Sequence, residues 1–168
     1  MRDEFVDVTS ILVDLEFPHF LVLDTALGAV LNGGFISNFD DINIGIVDDP
    51  GALIMQLLDD LEDDGFVVDT IRAANSSFLI KCVRNTVRVI LFFFYQEEGQ
   101  AWCALETMHR YTYPANLVLP PIEHIFLGIH THLPAKPSEY LEAHYGPTWR
   151  TPNPAWNCLT DPLSVRPL

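Results

Sequence analysis

Positive charge is what this chain has least of. Nine Lys and Arg residues stand against 23 Asp and Glu, a formal net charge of −14 over 168 residues. That balance argues against a general nucleic-acid binder, whose affinity comes largely from basic side chains neutralising phosphates. The shortage is also lopsided: residues 1–70 hold sixteen acids and one base, Arg2, whereas residues 71–168 hold seven acids and eight bases. An anionic substrate would therefore need divalent cations for neutralisation, helped by arginines of the second half. Long apolar runs are missing too. The most apolar stretch, Val87 to Tyr95, is interrupted by Arg88 and is far too short to cross a bilayer. The opening Met1-Arg2-Asp3-Glu4 has no basic region followed by an apolar one, so no secretory signal is read. The expectation is a soluble, cytoplasmic protein, or a Golgi or secretory one if the chain is a piece of a longer enzyme. Cysteine is sparse: Cys82, Cys103 and Cys158 lack metal-ligand spacing and are expected reduced and mostly buried. No internal repeat and no low-complexity segment is visible.

What is present is a core. Nearly half the residues are apolar and 19% are charged, which excludes a disordered chain and suits one domain over residues 1–168, with a proline-rich tail from about residue 147. Val8, Ile11, Leu12 and Leu15 follow the helical i, i+3, i+4, i+7 pattern up to Pro18. Phe20 to Leu23 reads as a short strand or the lead into a helix. That helix would be capped by Asp24 or Thr25, run to about Leu31 and stop at Asn32-Gly33-Gly34. Ile42, Ile44 and Ile46 predict a strand, and Asp49-Pro50 a helix start. The helix would run to about Asp64, bury Leu53, Ile54, Leu57, Leu58 and Leu61, and leave Asp59, Asp60, Glu62, Asp63 and Asp64 on a solvated face. Strands are expected over 66–71, 78–83, 86–95 and 100–107. A hairpin about Gly128 joins 122–126 to 129–133, and a short helix runs from Pro137 to Gly146.

The chemistry concentrates in Asn38-Phe39-Asp40-Asp41-Ile42-Asn43-Ile44-Gly45-Ile46, which follows Gly33-Gly34. Two adjacent carboxylates entering an apolar strand cost folding energy unless they are solvated, hydrogen-bonded or bound to a cation. Asp40 and Asp41 are therefore the candidate catalytic pair and the candidate ligands of Mg²⁺ (or Mn²⁺). The next residue on the face of Asp41 is Asn43, an amide that can ligate but adds no charge. Small residues nearby would let the backbone approach a phosphate, as phosphoanhydride chemistry requires. The plainer alternative is a capped turn before a strand.

Other groupings are weaker. His130 and His132 alternate on one strand face as two metal ligands would, with His124 or His109 as a possible third, and a solvated or hydrogen-bonded pair is the alternative. Arg84, Arg88 and Arg150 could reach phosphate or form surface ion pairs. Tyr145, Trp149 and Trp156 read as aromatics anchoring the tail in preference to sugar platforms. No serine or cysteine sits in a nucleophile motif.

Thr25-Ala26-Leu27-Gly28-Ala29-Val30, Gly33-Gly34-Phe35-Ile36 and Asp40-Asp41-Ile42-Asn43-Ile44-Gly45-Ile46 together resemble the LicD and fukutin-type nucleotidyltransferase family. So do Leu133-Pro134, Pro137, Tyr140-Leu141-Glu142, Tyr145-Gly146, Trp149 and Pro152, in the family's closing order. The resemblance spans about residues 8 to 156. It implies an α+β nucleotidyltransferase-like fold, a short mixed sheet with helices packed against it. It also implies transfer of a phospho-alcohol, of the phosphocholine or ribitol phosphate class, from a CDP-activated donor to a glycan acceptor. Thr25, Gly28, Gly33 and Asn43 would then lie at the nucleotide donor. The chain departs from the family where Asp24 replaces a glycine, where Phe39 and Asn43 stand in aspartate positions, and where Val87 to Phe92 carries no acid. Those losses support an alternative, a catalytically degenerate relative acting as a binding or scaffold module.

Overall fold

Ile42, Ile44 and Ile46 alternate with Asn43 and Gly45, and this period-two run forms an interior strand buried on both faces. A computed structural model of the chain describes all residues except 38–40, 48–50, 73–76, 107–108, 152, 154–155, 158–159, 163 and 168, and describes the backbone alone at 70–72, 78 and 106. In chain order the first half comprises α1 (Arg2–Asp14), β1 (His19–Leu21), α2 (Leu23–Asn32), β2 (Asp41–Val47), a 3-10 turn (Gly51–Leu53), α3 (Ile54–Asp63), β3 (Val67–Arg72) and β4 (Phe78–Arg84). The second half comprises β5 (Val87–Glu97), β6 (Gln100–Glu106), β7 (His109–Pro114), α4 (Ala115–Val118), β8 (Ile122–Phe126), β9 (Ile129–Leu133), α5 (Pro137–Tyr145) and β10 (Val165–Pro167).

The described strands form an eight-stranded mixed sheet, ordered β1-β2-β5-β6-β7-β10, with the β3–β4 hairpin attached through β4 to β5. β2 and β5 run parallel, Asp41 opposite Arg88 and Asn43 opposite Ile90. β5 is long enough to hold three partners. One edge pairs with β2, while the other pairs with β4 over Val87–Phe92 and with β6 from Phe94 onward. β8 and β9 make a separate hairpin, turning at Leu127 and Gly128, whose φ is +84°. This is an α+β, nucleotidyltransferase-like fold.

Helices cover the sheet through the faces their apolar periodicity defines. Phe5, Val8 and Leu12 of α1 are buried, and the Phe5 ring stands edge-on to Phe35 and Phe126. α3 buries Leu57 and Leu61, but Leu53 is 43% exposed because it lies in the 3-10 turn before the helix. Asp49-Pro50 lies outside the described residues. Asp59, Glu62, Asp63 and Asp64 face solvent as expected. α2 ends at Gly33 in the left-handed conformation the sequence demanded, but neither Asp24 nor Thr25 caps it. The N-cap is Val22, and both polar side chains are engaged in tertiary bonds instead. β7 and β10, absent from the sequence expectations, extend the sheet and bury Tyr111 and Tyr113.

Candidate functional site

Asp41 opens β2, and its register partner on β5 is Arg88. The guanidinium grips both carboxylate oxygens: Nε donates to Oδ1 at 2.8 Å and Nη2 to Oδ2 at 2.6 Å. Such planar, two-pronged pairing satisfies the carboxylate geometrically as well as electrostatically. Two residues on, and on the same face of β2, Asn43 is buried. Its backbone N–H donates to the Thr25 hydroxyl at 2.8 Å, and its carbonyl accepts the N–H of Val22. The cross-strand neighbour of Asn43 is Ile90. The strand pair thus presents an acid, an amide, an arginine and an isoleucine.

Asp24 sits half-buried in the first turn of α2, where its carboxylate accepts a hydrogen bond from the Tyr145 hydroxyl at 2.6 Å. Burial raises its pKa, Tyr145 pulls the other way, and the charge of Asp41 raises it again. The two carboxylates therefore share one electrostatic neighbourhood. Tyr145 is itself held well above its ordinary pKa by burial and by Asp24, so the phenol stays protonated as donor. The start of α2 is secured from a second direction. Leu23, with φ +49°, donates its N–H to the Tyr140 hydroxyl at 3.2 Å.

Gly28 is a close-approach position. A Cβ there would lie 2.4 Å from the Gly34 carbonyl oxygen, so the glycine lets the chain after α2 pack back against the helix. Gly33 is the left-handed C-cap, φ +66°, its N–H bonded to the Ala29 carbonyl, with open space beside it. Thr25 is buried and joins α2 to β2. Asp40 lies outside the described residues. Of the predicted residues, the fold brings Thr25, Asn43 and Asp41 together and adds Asp24 and Arg88 to them.

The described part of this set, without Asp40, fits a divalent cation poorly. Mg²⁺ and Mn²⁺ want several oxygen ligands carrying negative charge. Both oxygens of Asp41 already face a permanent cation, and the amide of Asn43 supplies no charge. Among the described residues, no three His, Cys, Asp or Glu side chains are arranged to hold a metal ion. That holds for the histidines as well: the His132 Nδ1 lies 3.2 Å from the His19 carbonyl, the hydrogen-bonded alternative. Cys82 and Cys103 are free and buried, and Cys158 lies outside the described residues.

The arginines resolve mainly into ion pairs. Arg84 bonds Asp64 at 2.6 Å, pairs closely with Asp7 and lies over the Phe66 ring, joining β4 to α1 and the end of α3. Arg150 stacks on Trp149, 4.2 Å from the ring centre. Sequence reasoning missed the Asp24–Tyr145 bond. Its one signal was a lone acid inside the apolar run from Phe20 to Val30.

A parallel strand pair framed by an antiparallel hairpin, with polar residues gathered where α2 meets β2, defines a nucleotidyltransferase-type domain. Residues 16–136 match the LicD/FKTN/FKRP nucleotidyltransferase domain, and the chain belongs to that family. It is 28% identical over 167 residues to the ribitol-5-phosphate transferase FKTN of Mus musculus, an overlap of 93% of this chain and 34% of the mouse protein. The Homo sapiens and Macaca fascicularis proteins of that name are each 30% identical over 89 residues, half of this chain and 19% of theirs. The chain spans about a third of the mouse relative's length.

Proposed function

We propose that this domain keeps the ligand-binding role of a fukutin-type phospho-alcohol transferase without the metal-assisted transfer step. The observation that supports this reading is the two-pronged Arg88–Asp41 pair, with Asn43 beside Ile90, where the family resemblance calls for carboxylates. The guanidinium balances the Asp41 charge that a metal ion would otherwise need, which is why the pair speaks against metal-assisted transfer. In this reading Thr25, Gly28, Gly33 and Asn43 border the place of a CDP-activated donor, of the ribitol phosphate or phosphocholine class. A glycan is the partner at its open side.

The test combines metal binding with turnover. Mn²⁺ titrated into the protein should show no tight site by electron paramagnetic resonance, and CDP-ribitol or CDP-choline should release no CMP with Mg²⁺ or Mn²⁺. The paired substitution Arg88→Ala with Asn43→Asp should create a measurable Mn²⁺ site. Metal-dependent CMP release that disappears in Asp41→Ala would overturn the proposal. It would establish the second reading, a divergent but active transferase using Asp40 and Asp41 as metal ligands. That reading draws on Asp24, whose carboxylate senses the charge of Asp41 and could complete an acidic set.

A further inference from the structure

β10 is held to the sheet by little of its own. It spans only Val165–Pro167, and its register places Arg166 directly opposite Arg110, where like charges disfavour pairing. What secures it is Ser164, the buried residue just before the strand. The Ser164 carbonyl accepts the N–H of Thr112, and its hydroxyl lies 3.1 Å from His144 Nδ1.

His144 is 2% exposed and stands where α5, β7 and the C-terminal segment meet. Its Nδ1 also lies 2.8 Å from the Tyr113 hydroxyl, and the rings of Tyr111, Tyr145 and Trp156 pack against its own. Two lines of contact run from this imidazole to the start of α2. One passes through Tyr145, whose hydroxyl donates to Asp24. The other passes from Tyr113 to Tyr140, ring centres 4.9 Å apart, and ends where the Tyr140 hydroxyl accepts the Leu23 N–H. Leu23 has φ +49°, a left-handed conformation that a leucine keeps only while its neighbours impose it.

A second proton on the ring would find no partner. The phenols of Tyr111, Tyr113, Tyr140 and Tyr145 and the Ser164 hydroxyl are neutral, as is the buried Cys103 thiol opposite Tyr111. Asp24, the acid that reaches the cluster, is bonded to Tyr145. Arg110 and Arg166 alternate onto the other face of the sheet, and His109 lies two residues along β7 from Tyr111. Burial holds the His144 pKa down to about 3, whereas an imidazole open to water takes up its proton at about 6.5. Any opening that wets the ring is therefore favoured as pH falls.

We infer that His144 latches an acid-opened clasp: uptake of a proton by its imidazole releases β10 from β7 and, with it, the first turn of α2 that carries Asp24. The inference needs neither metal nor nucleotide and does not rest on the reading of the β2–β5 site.

Native-state hydrogen exchange of the whole ¹⁵N-labelled chain, expressed as opening equilibria at pH 7 and pH 5, tests it. The Thr112 amide reports β10, the Leu23 amide the start of α2, and the Leu12 amide of α1 global unfolding. Thr112 and Leu23 should share one opening, at least tenfold more populated than that of Leu12. That shared opening should grow about 25-fold from pH 7 to pH 5. His144→Gln cannot take the proton, so its opening should be the same at both pH values. If that variant fails to fold, Ser164→Ala should raise the opening of both amides several-fold at pH 7, and no change at either would overturn the inference. Opening of Thr112 and Leu23 only together with Leu12 would overturn it, as would unequal openings of the two. So would a pH response that survives in His144→Gln. The Mn²⁺ and CMP measurements are untouched by any of these outcomes.

Discussion

Asp24 illustrates how one side chain carries a cost that its neighbours only partly offset. Burial and the charge of Asp41 raise its pKa, while Tyr145 opposes the rise. A carboxyl group whose folded pKa exceeds its unfolded value of about 3.9 binds protons better when folded, so stability falls as pH rises through that interval. Asp24→Asn keeps an oxygen for Tyr145 and removes the charge. Its melting temperature at pH 7 should exceed that of the wild type, and the difference should vanish below about pH 4. His144 has the opposite sign. Burial pushes its pKa down to about 3, and its Nδ1 lies 2.8 Å from the Tyr113 hydroxyl and 3.1 Å from Ser164 Oγ. The folded protein holds His144 neutral while the unfolded chain takes up a proton below about pH 6.5. Stability is therefore lost as pH falls from about 6.5 toward 3, and melting curves of His144→Gln should show a shallower acid limb. An unchanged limb would remove His144 from the account.

At the scale of elements, the joint between α2, β2 and β5 decides the site. Two glycines of α2 and its cap act differently, and denaturant titration separates them. Gly28→Ala would place a methyl 2.4 Å from a backbone oxygen, where only the chain around Gly34 can yield, and should cost about 2–3 kcal/mol. Gly33→Ala meets open space but must adopt φ +66°, and should cost about 1 kcal/mol. Equal losses would show that the close approach at Gly28 is not what holds the post-helix chain. The elements themselves were largely legible. The period-two isoleucines gave β2, the i, i+4 leucines gave α3, and Gly128 gave the β8–β9 turn, because each is a local pattern. β10 was not legible, since three residues carry no periodicity and exist as a strand only through pairing with β7.

Over the whole molecule, sixteen acids and one base in residues 1–70 leave a surface that repels itself. Arg84 of the second half offsets part of this by joining Asp7 and Asp64. The remaining repulsion is solvent-exposed and so is open to screening, with a Debye length of about 10 Å at 0.1 M salt. Raising NaCl from low to physiological concentration should increase the melting temperature. A decrease would mean that ion pairs such as Arg84–Asp64 outweigh the repulsion.

The amino-acid order alone determined the family, the apolar strand and helix faces, and the identity of Asp41 and Asn43. It also showed which acids were missing. Only the folded chain decided what Asp41 does with its charge, because Arg88 lies 47 positions away and meets it through the parallel register of β2 and β5. The same holds for Asp24 and Tyr145, 121 positions apart, and for Tyr113 and His144, 31 positions apart. Hydrophobic periodicity is written along the chain, whereas ion pairing and buried hydrogen bonding depend on the distance between elements, which no local pattern contains.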